Sequence, residues 1–446
     1  MKVAIIGGGI SGLATAFYIH QTMPEVEIDL FEKEAQLGGK MMTKERDGFY
    51  FESGSNGFLS NKPDTLELVT QSGCDDILIR SNDSARKRFI YKDFLCPLPE
   101  SPKAFLETPL LSWSGKLRVA GEFFIPAKKD DSDETLQSFG YRRVGKEMTD
   151  VFLDAMVAGI FASTPSKISV NAAFPAVVKL EREYGGLFRG MLAKKKKEAG
   201  PGGVLMSFEK GVSSFIERLA LVCGASIKTN TEILSLIKKE NTFVLSTKEV
   251  TNTYDAVILS TSAFEASTLL AQTNTDIANL LNTISYSPIS IIGFGYTELK
   301  HDLDGFGLLT TTSANKDILG ILWDSSIFDD RAPSGKKSLR VMIGGQRNKE
   351  LALKSEAELI ALAQKGILET MGIEATPDTV FVERWEKGIP NYEVGHGSKM
   401  NALFEMLNAY PNLFLNSNAY VGVSLNDCVS NSKKCAQGVV HYLRGL

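Results

Sequence analysis

The stretch Val3-Ala4-Ile5-Ile6-Gly7-Gly8-Gly9-Ile10-Ser11-Gly12 decides how this sequence folds. Its first four residues are a short apolar run of the kind that forms a strand buried on both faces. Glycines follow at once with the spacing Gly7-x-Gly9-x-x-Gly12, and residues 13–21 read as a helix. The first glycine allows a tight turn, the second lets the backbone approach a pyrophosphate, and the third lets helix and strand pack closely. The helix N-terminus behind Gly8, Ile10 and Ser11 offers unpaired N–H groups and a partial positive charge to phosphates. A second strand over 26–31 ends at Glu32, 20 residues beyond Gly12, where a carboxylate can accept both hydroxyls of an adenosine ribose. Strand, glycine triplet, helix, strand and acid in that order point to a dinucleotide site in an α/β fold.

The rest of the composition sets bounds around that site. The chain has 446 residues, 43% hydrophobic and 23% charged, enough for about two or three domains. Its formal charge of −4 argues against a dedicated nucleic-acid binder, whose contacts need a concentrated basic face. Cys74, Cys96, Cys223, Cys428 and Cys435 form no tight pair, which predicts no disulfide framework and a reducing, cytoplasmic compartment. His20, His301, His396 and His441 have no zinc-type spacing, so no metal is expected. No apolar run approaches the roughly 20 residues of a membrane span. The apolar N-terminus is interrupted by glycines and is not read as a signal peptide.

Two further glycine segments separate FAD from a nicotinamide cofactor. Lys33-Glu34-Ala35-Gln36-Leu37-Gly38-Gly39-Lys40 follows the acidic strand end, and Phe49-Tyr50-Phe51-Glu52-Ser53-Gly54-Ser55-Asn56-Gly57-Phe58 comes next. A nicotinamide domain has no need of these extra backbone approaches, whereas an extended flavin nucleotide does. The sequence here resembles the flavin amine oxidase superfamily, with one departure: Gln36 stands where Arg is usual. The resemblance implies FAD, with Gly39, Lys40, Gly54, Ser55, Asn56 and Gly57 among its contacts.

Later segments are similar to the oxygen-dependent, FAD-containing protoporphyrinogen oxidases, in family order from end to end. They are Lys87-Arg88-Phe89-Ile90-Tyr91 with Leu95-Cys96-Pro97-Leu98-Pro99, Asp133-Glu134-Thr135-Leu136, Gly159-Ile160-Phe161-Ala162 and Gly305-Phe306-Gly307-Leu308-Leu309. Trp385-x-x-Gly388-Ile389-Pro390-x-Tyr392-x-x-Gly395-His396 and Tyr420-Val421-Gly422-Val423-Ser424-Leu425-Asn426-Asp427-Cys428 complete the set. Ala162-Ser163-Thr164 and Ser53-Gly54-Ser55 depart from the usual Ala-Gly-Asp and Gly-Pro. The resemblance implies a discontinuous Rossmann-like FAD-binding domain (1–80, 204–275 and 405–446), an antiparallel-sheet substrate domain (276–404) and a helical insertion (81–203). It further implies that Ile233 packs on the adenine side, that Asp255 caps its strand's approach, and that Val423, Ser424, Leu425 and Trp385 lie beside the flavin.

Residues 81–200 hold 20 Lys and Arg against 15 Asp and Glu, a net +5 that leaves −9 elsewhere. Apolar stretches alternate with these cations and with the run Lys194-Lys195-Lys196-Lys197 before Gly200-Pro201-Gly202-Gly203. Such a surface is either a solvated helical face or one that lies on an anionic bilayer without crossing it. The family resemblance favours peripheral contact with the inner face of the cell membrane.

Aromatising a porphyrinogen removes hydrogen in repeated two-electron steps, which is flavin chemistry rather than side-chain chemistry. By resemblance, Arg88 pairs with a substrate propionate, Phe306 and Leu309 sandwich a pyrrole ring, and Gly159 offers a carbonyl to the macrocycle. Surface, core-packing and helix-terminus roles are the respective alternatives. No general base is assigned, and molecular oxygen is the expected acceptor. The cysteine that carries covalent flavin in monoamine oxidases is replaced by Asn416-Ser417-Asn418-Ala419, so FAD is expected to be non-covalent. Protoporphyrinogen IX is the first expected substrate. Coproporphyrinogen III, an amine, and a non-catalytic FAD protein are the competing readings.

Overall fold

The computed structural model describes residues 1–195 and 203–446. Lys196, Lys197 and Gly200-Pro201-Gly202, parts of the lysine run and of the expected boundary, lie outside the described residues.

The opening residues form β1 (Lys2–Ile6), α1 (Ile10–Thr22) and β2 (Glu27–Phe31). β1 sits at the centre of a five-stranded sheet ordered Ser226–Lys228, β2, β1, Ala256–Leu259, Leu413–Leu415, with every pair parallel. Both faces are covered, as a parallel sheet requires. Val3 and Ile5 enter one core, shared with α1 and the helices Val212–Val222 and Leu425–Arg444. Ala4 and Ile6 enter the other, shared with Ala263–Leu270, Thr275–Asn282, His396–Leu407 and a three-stranded antiparallel meander over Ser235–Lys239, Thr242–Ser246 and Thr251–Tyr254. The alternation explains why the apolar run is continuous. The sheet takes its strands from three distant parts of the chain, so the nucleotide fold is discontinuous. Asp255 ties two of these parts together, its carboxylate accepting the Lys2 N–H at 2.7 Å.

A second, seven-stranded sheet follows the order Thr379–Pro390, Tyr286–Tyr296, Lys337–Gly344, Ile318–Leu322, Gly307–Thr310, Arg88–Tyr91, Leu95–Pro97. All its pairings are antiparallel except Gly307–Thr310 with Arg88–Tyr91. Within 81–203, two strands therefore precede the helices that the sequence led us to expect. Their few residues carry too little alternation to register as strands, and the partner that completes them lies in the distant 307–310 segment. Helix Glu356–Met371 covers one face of this sheet.

The hairpin Thr43–Arg46 with Phe49–Glu52 joins the two sheets. Its Phe49 and Phe51 rings stack, and Phe51 stacks on Phe381 with centroids 5.6 Å apart. Room for these rings comes from Gly293 and Gly295, where an added Cβ would fall 2.4 Å from Phe51 and 2.8 Å from Phe49. The segment leaving this hairpin is the third glycine stretch, so packing between the sheets places it.

Candidate functional site

The three glycine segments converge at the C-terminal edge of the parallel sheet, where ligands of open α/β sheets bind. Gly9 and Gly38 form a parallel bridge, and the Gly38 N–H donates to Gly8 O at 2.9 Å. Gly12 carries the close packing: an added Cβ there would lie 2.0 Å from Gly7 O. α1 begins at Gly9 with no side-chain cap and no acid in its first turn, which leaves its N–H groups and partial positive charge for an anion. The Glu32 carboxylate is buried and already accepts the Gly8 N–H at 2.8 Å and the Glu34 N–H at 2.9 Å. It thereby fixes the glycine loop, and each oxygen keeps a second lone pair for a ribose hydroxyl. Ile233 packs beside Phe31, and the Thr231 N–H donates to Glu32 O at 2.8 Å, so Ile233 and Glu32 share one end of the site.

At the other end, Gly54 is exposed and an added Cβ would meet Lys40 O at 2.2 Å. Lys40 donates to the carbonyls of Lys387 and Gly388 and lies 5.4 Å from the Tyr286 ring centroid. Burial pulls its ammonium down to about 8, against the pull of nearby Glu265. Ser55 and Gly57 close a turn through the Ser55 hydroxyl. Asn56 has its carbonyl oxygen held by Arg340, which also grips Asp324 through two nitrogens and donates to Glu52 O at 2.6 Å. The Asn56 amide nitrogen is buried and has no partner among the described residues. The Trp385 indole donates to Ser53 O at 2.7 Å, and Ser424 caps helix Leu425–Arg444 in a reciprocal box with Asp427. Leu425 lies in the core shared with Ile10 and Leu13 of α1, while Val423 packs against the cluster containing Tyr392. An uncapped helix start, an exposed glycine seam and an orphaned amide donor fit an extended dinucleotide. The residues from Gly7 to Gly12, with Glu32, Gly39, Lys40, the 54–57 segment and Ser424, are placed to hold one.

Arg88, Phe306, Leu309 and Gly159 are brought together on the second sheet. Arg88 pairs in register with Gly307, and its guanidinium lies 5.0 Å from the Phe306 ring centroid. Among the described residues Arg88 has no carboxylate partner, whereas neighbouring Lys87 is paired with Asp304. Gly159, exposed in helix Asp154–Phe161, faces Leu309: an added Cβ would lie 2.9 Å from Leu309 Cδ1. Ala158 of the same helix and Ala162, which caps its end, belong with Ile289 and Leu319 to a cluster against which Trp385 packs. The helix thus touches Leu309 and shares a hydrophobic cluster with Trp385, whose indole reaches the Ser53 carbonyl.

No histidine joins these groups. His396 stacks on Tyr392 with centroids 4.1 Å apart, sits with Nε2 3.0 Å from Tyr420 O, and is held below its usual pKa by burial. Among the described residues no three His, Cys, Asp or Glu side chains assemble a metal site, and no helix is long and apolar enough to cross a membrane. Sequence reading missed Tyr286, Arg340 and Asp154. Each acts through a partner remote in the chain, so no local motif marks it.

The family described as flavin containing amine oxidoreductase matches residues 10–440. The coproporphyrinogen III oxidase of Bacillus subtilis (strain 168) is 28% identical over 465 residues, covering 99% of this chain and 98% of that protein. The chloroplastic protoporphyrinogen oxidase of Oryza sativa subsp. japonica is 28% identical over 473 residues, covering 98% of this chain and 88% of that protein. A crystal structure of a candidate protoporphyrinogen oxidase from Exiguobacterium sp. 255-15 superposes with a TM-score of 0.87 at 26% identity, covering 99% of both chains.

Proposed function

Because the chain belongs to the flavin containing amine oxidoreductase family and is an FAD-dependent oxidoreductase, we propose that it oxidises protoporphyrinogen IX to protoporphyrin IX with oxygen as acceptor. The observation that carries this reading is the packing of Gly159 on Leu309, with Arg88 on the neighbouring strand, Phe306 just before the strand of Leu309, and Trp385 linking this region to the Ser53 carbonyl of the glycine-rich cradle.

Bound FAD, held non-covalently, supplies the two-electron acceptor. The chain's own residues bind and orient. Arg88 meets a propionate with two parallel hydrogen bonds, a geometry that suits a guanidinium. Phe306 and Leu309 cover the faces of a pyrrole ring, and the Gly159 backbone approaches the macrocycle. Trp385, tied to Ser53 O, links these residues to the cradle. No side chain is assigned as base; the pyrrole nitrogens or solvent take the proton.

Coproporphyrinogen III is the second reading, supported by the Bacillus subtilis relative. It carries four acidic arms instead of two, and of the substrate-site residues named above only Arg88 offers a charge to them, which favours the substrate with fewer. Both porphyrinogens should be offered to the purified protein under air and porphyrin fluorescence followed. Faster conversion of protoporphyrinogen supports the proposal, faster conversion of coproporphyrinogen selects the second reading, and no conversion of either overturns both.

The site's position beside the helical segment supports peripheral membrane contact. Trp113, Leu117 and Phe124 are 68%, 71% and 80% exposed, and Arg189 stands 4.8 Å from the neighbouring Phe123 ring. Exposed aromatics beside cations suit an anionic bilayer surface at the inner face of the cell membrane. The protein should pellet with anionic liposomes at low salt and be released at high salt. No partition under either condition would refute this contact.

A further inference from the structure

Helix Asp154–Phe161 is gripped at both ends by one short loop. Just before it, residues Thr149–Leu153 form a π-helical turn, a register often found at functional sites. The helix then opens on Asp154, whose carboxylate is buried. Asp154 Oδ2 accepts the Thr312 N–H at 2.6 Å and an Arg347 N–H at 2.9 Å, and Oδ1 accepts the Thr312 hydroxyl at 2.8 Å. Arg347 donates in turn to Thr310 O at 2.8 Å. Thr310 ends the strand that carries Leu309, so the pair joins the start of the helix to the end of that strand. At the far end of the helix, the N–H of Gln346, the residue before Arg347, donates to Ala162 O at 2.7 Å.

Between those two anchors lies Gly159, where helix and strand already approach so closely that a methyl group would press on Leu309. A buried ion pair adds little net stability compared with apolar side chains of the same volume, because desolvation offsets the attraction. What it does supply is a fixed geometry. We infer, on the porphyrinogen reading above, that Asp154 and Arg347 are positioning residues that fix how Gly159 seats against Leu309 and hence the shape of the surface these residues offer to the macrocycle. They do not touch substrate; they act through Gly159 and Leu309.

The test compares Asp154→Asn, Arg347→Gln, the double variant and Thr312→Ala with the wild-type holoenzyme. Melting temperature and flavin content serve as fold controls. Each single variant should raise KM for the porphyrinogen about tenfold or more while kcat changes less than about threefold. Binding of the porphyrin product, read by fluorescence titration, should weaken by a similar factor. The double variant should be no worse than the worse single, since both remove the same link. Thr312→Ala removes one hydroxyl contact and should give a smaller shift in the same direction. Variants that lower the melting temperature but leave KM and porphyrin binding within about twofold would overturn the inference. If the single variants do not fold, Thr312→Ala decides: an unchanged KM and porphyrin affinity refute the positioning role. A wild-type protein that converts neither porphyrinogen would instead remove the reading on which the inference rests.

Discussion

Gly12 and Arg88 differ in kind: one is a position with no room for a side chain, the other a charge with no carboxylate partner among the described residues. At Gly12 the obstacle to a methyl group is the Gly7 carbonyl, which is backbone and cannot swing away. Gly12→Ala should destabilise the protein by about 1–3 kcal/mol and displace the glycine loop. Purified Gly12→Ala should carry far less flavin per chain than wild type; undiminished flavin would show that the loop tolerates the methyl. Arg88 is exposed and has no ion-pair partner among the described residues, so Arg88→Ala should leave the melting temperature within about 1–2 °C. The same change should raise KM for the porphyrinogen severalfold or more; unchanged kinetics would remove Arg88 from the site. Gly12 was legible in the sequence because its spacing has a local mechanical meaning; Arg88 was singled out because a family motif surrounds it. Arg347 was not legible, because its partner Asp154 lies 193 residues away.

Among elements, β1, α1 and β2 were readable from apolar runs and glycine punctuation alone, whereas strand Arg88–Tyr91 was not. The first three are complete as a local unit; the last exists through its pairing with Gly307–Thr310. The order of the parallel sheet also depends on contacts that no local pattern encodes. Asp29 on β2 is one of them: it accepts from Lys228 at 2.8 Å and from the Tyr254 hydroxyl at 2.7 Å, and lies 3.1 Å from Lys2 of β1. Burial alone would raise its carboxyl, but the hydrogen bonds from Lys228, Tyr254 and Lys2 outweigh it and hold the group below its ordinary range. The unfolded chain therefore binds a proton at a pH where the folded chain does not. The resulting stability is present above the unfolded value near 4 and is lost as pH falls through the lower folded value. Asp29→Asn should cost roughly 1–3 kcal/mol near neutral pH and flatten the acid limb of the stability curve. An acid limb identical to wild type would show that Asp29 contributes nothing to it.

On the scale of the whole molecule, two sheets built from interleaved parts of the chain meet along the Phe49–Phe51–Phe381 stack and at Trp385. Sequence motifs pointed separately to a nucleotide region and to the segments around Arg88 and Leu309. The contact between them, through helix Asp154–Phe161, became visible only in three dimensions. On the proposed function, a nucleotide-bound flavin and a flat macrocycle meet at that contact. Anaerobic titration of the purified, yellow protein with porphyrinogen tests this most directly. Protoporphyrinogen IX should bleach the flavin, air should restore it as porphyrin fluorescence appears, and acid precipitation should leave a colourless pellet with FAD in solution. A flavin that stays oxidised with both porphyrinogens while an amine bleaches it would contradict the account.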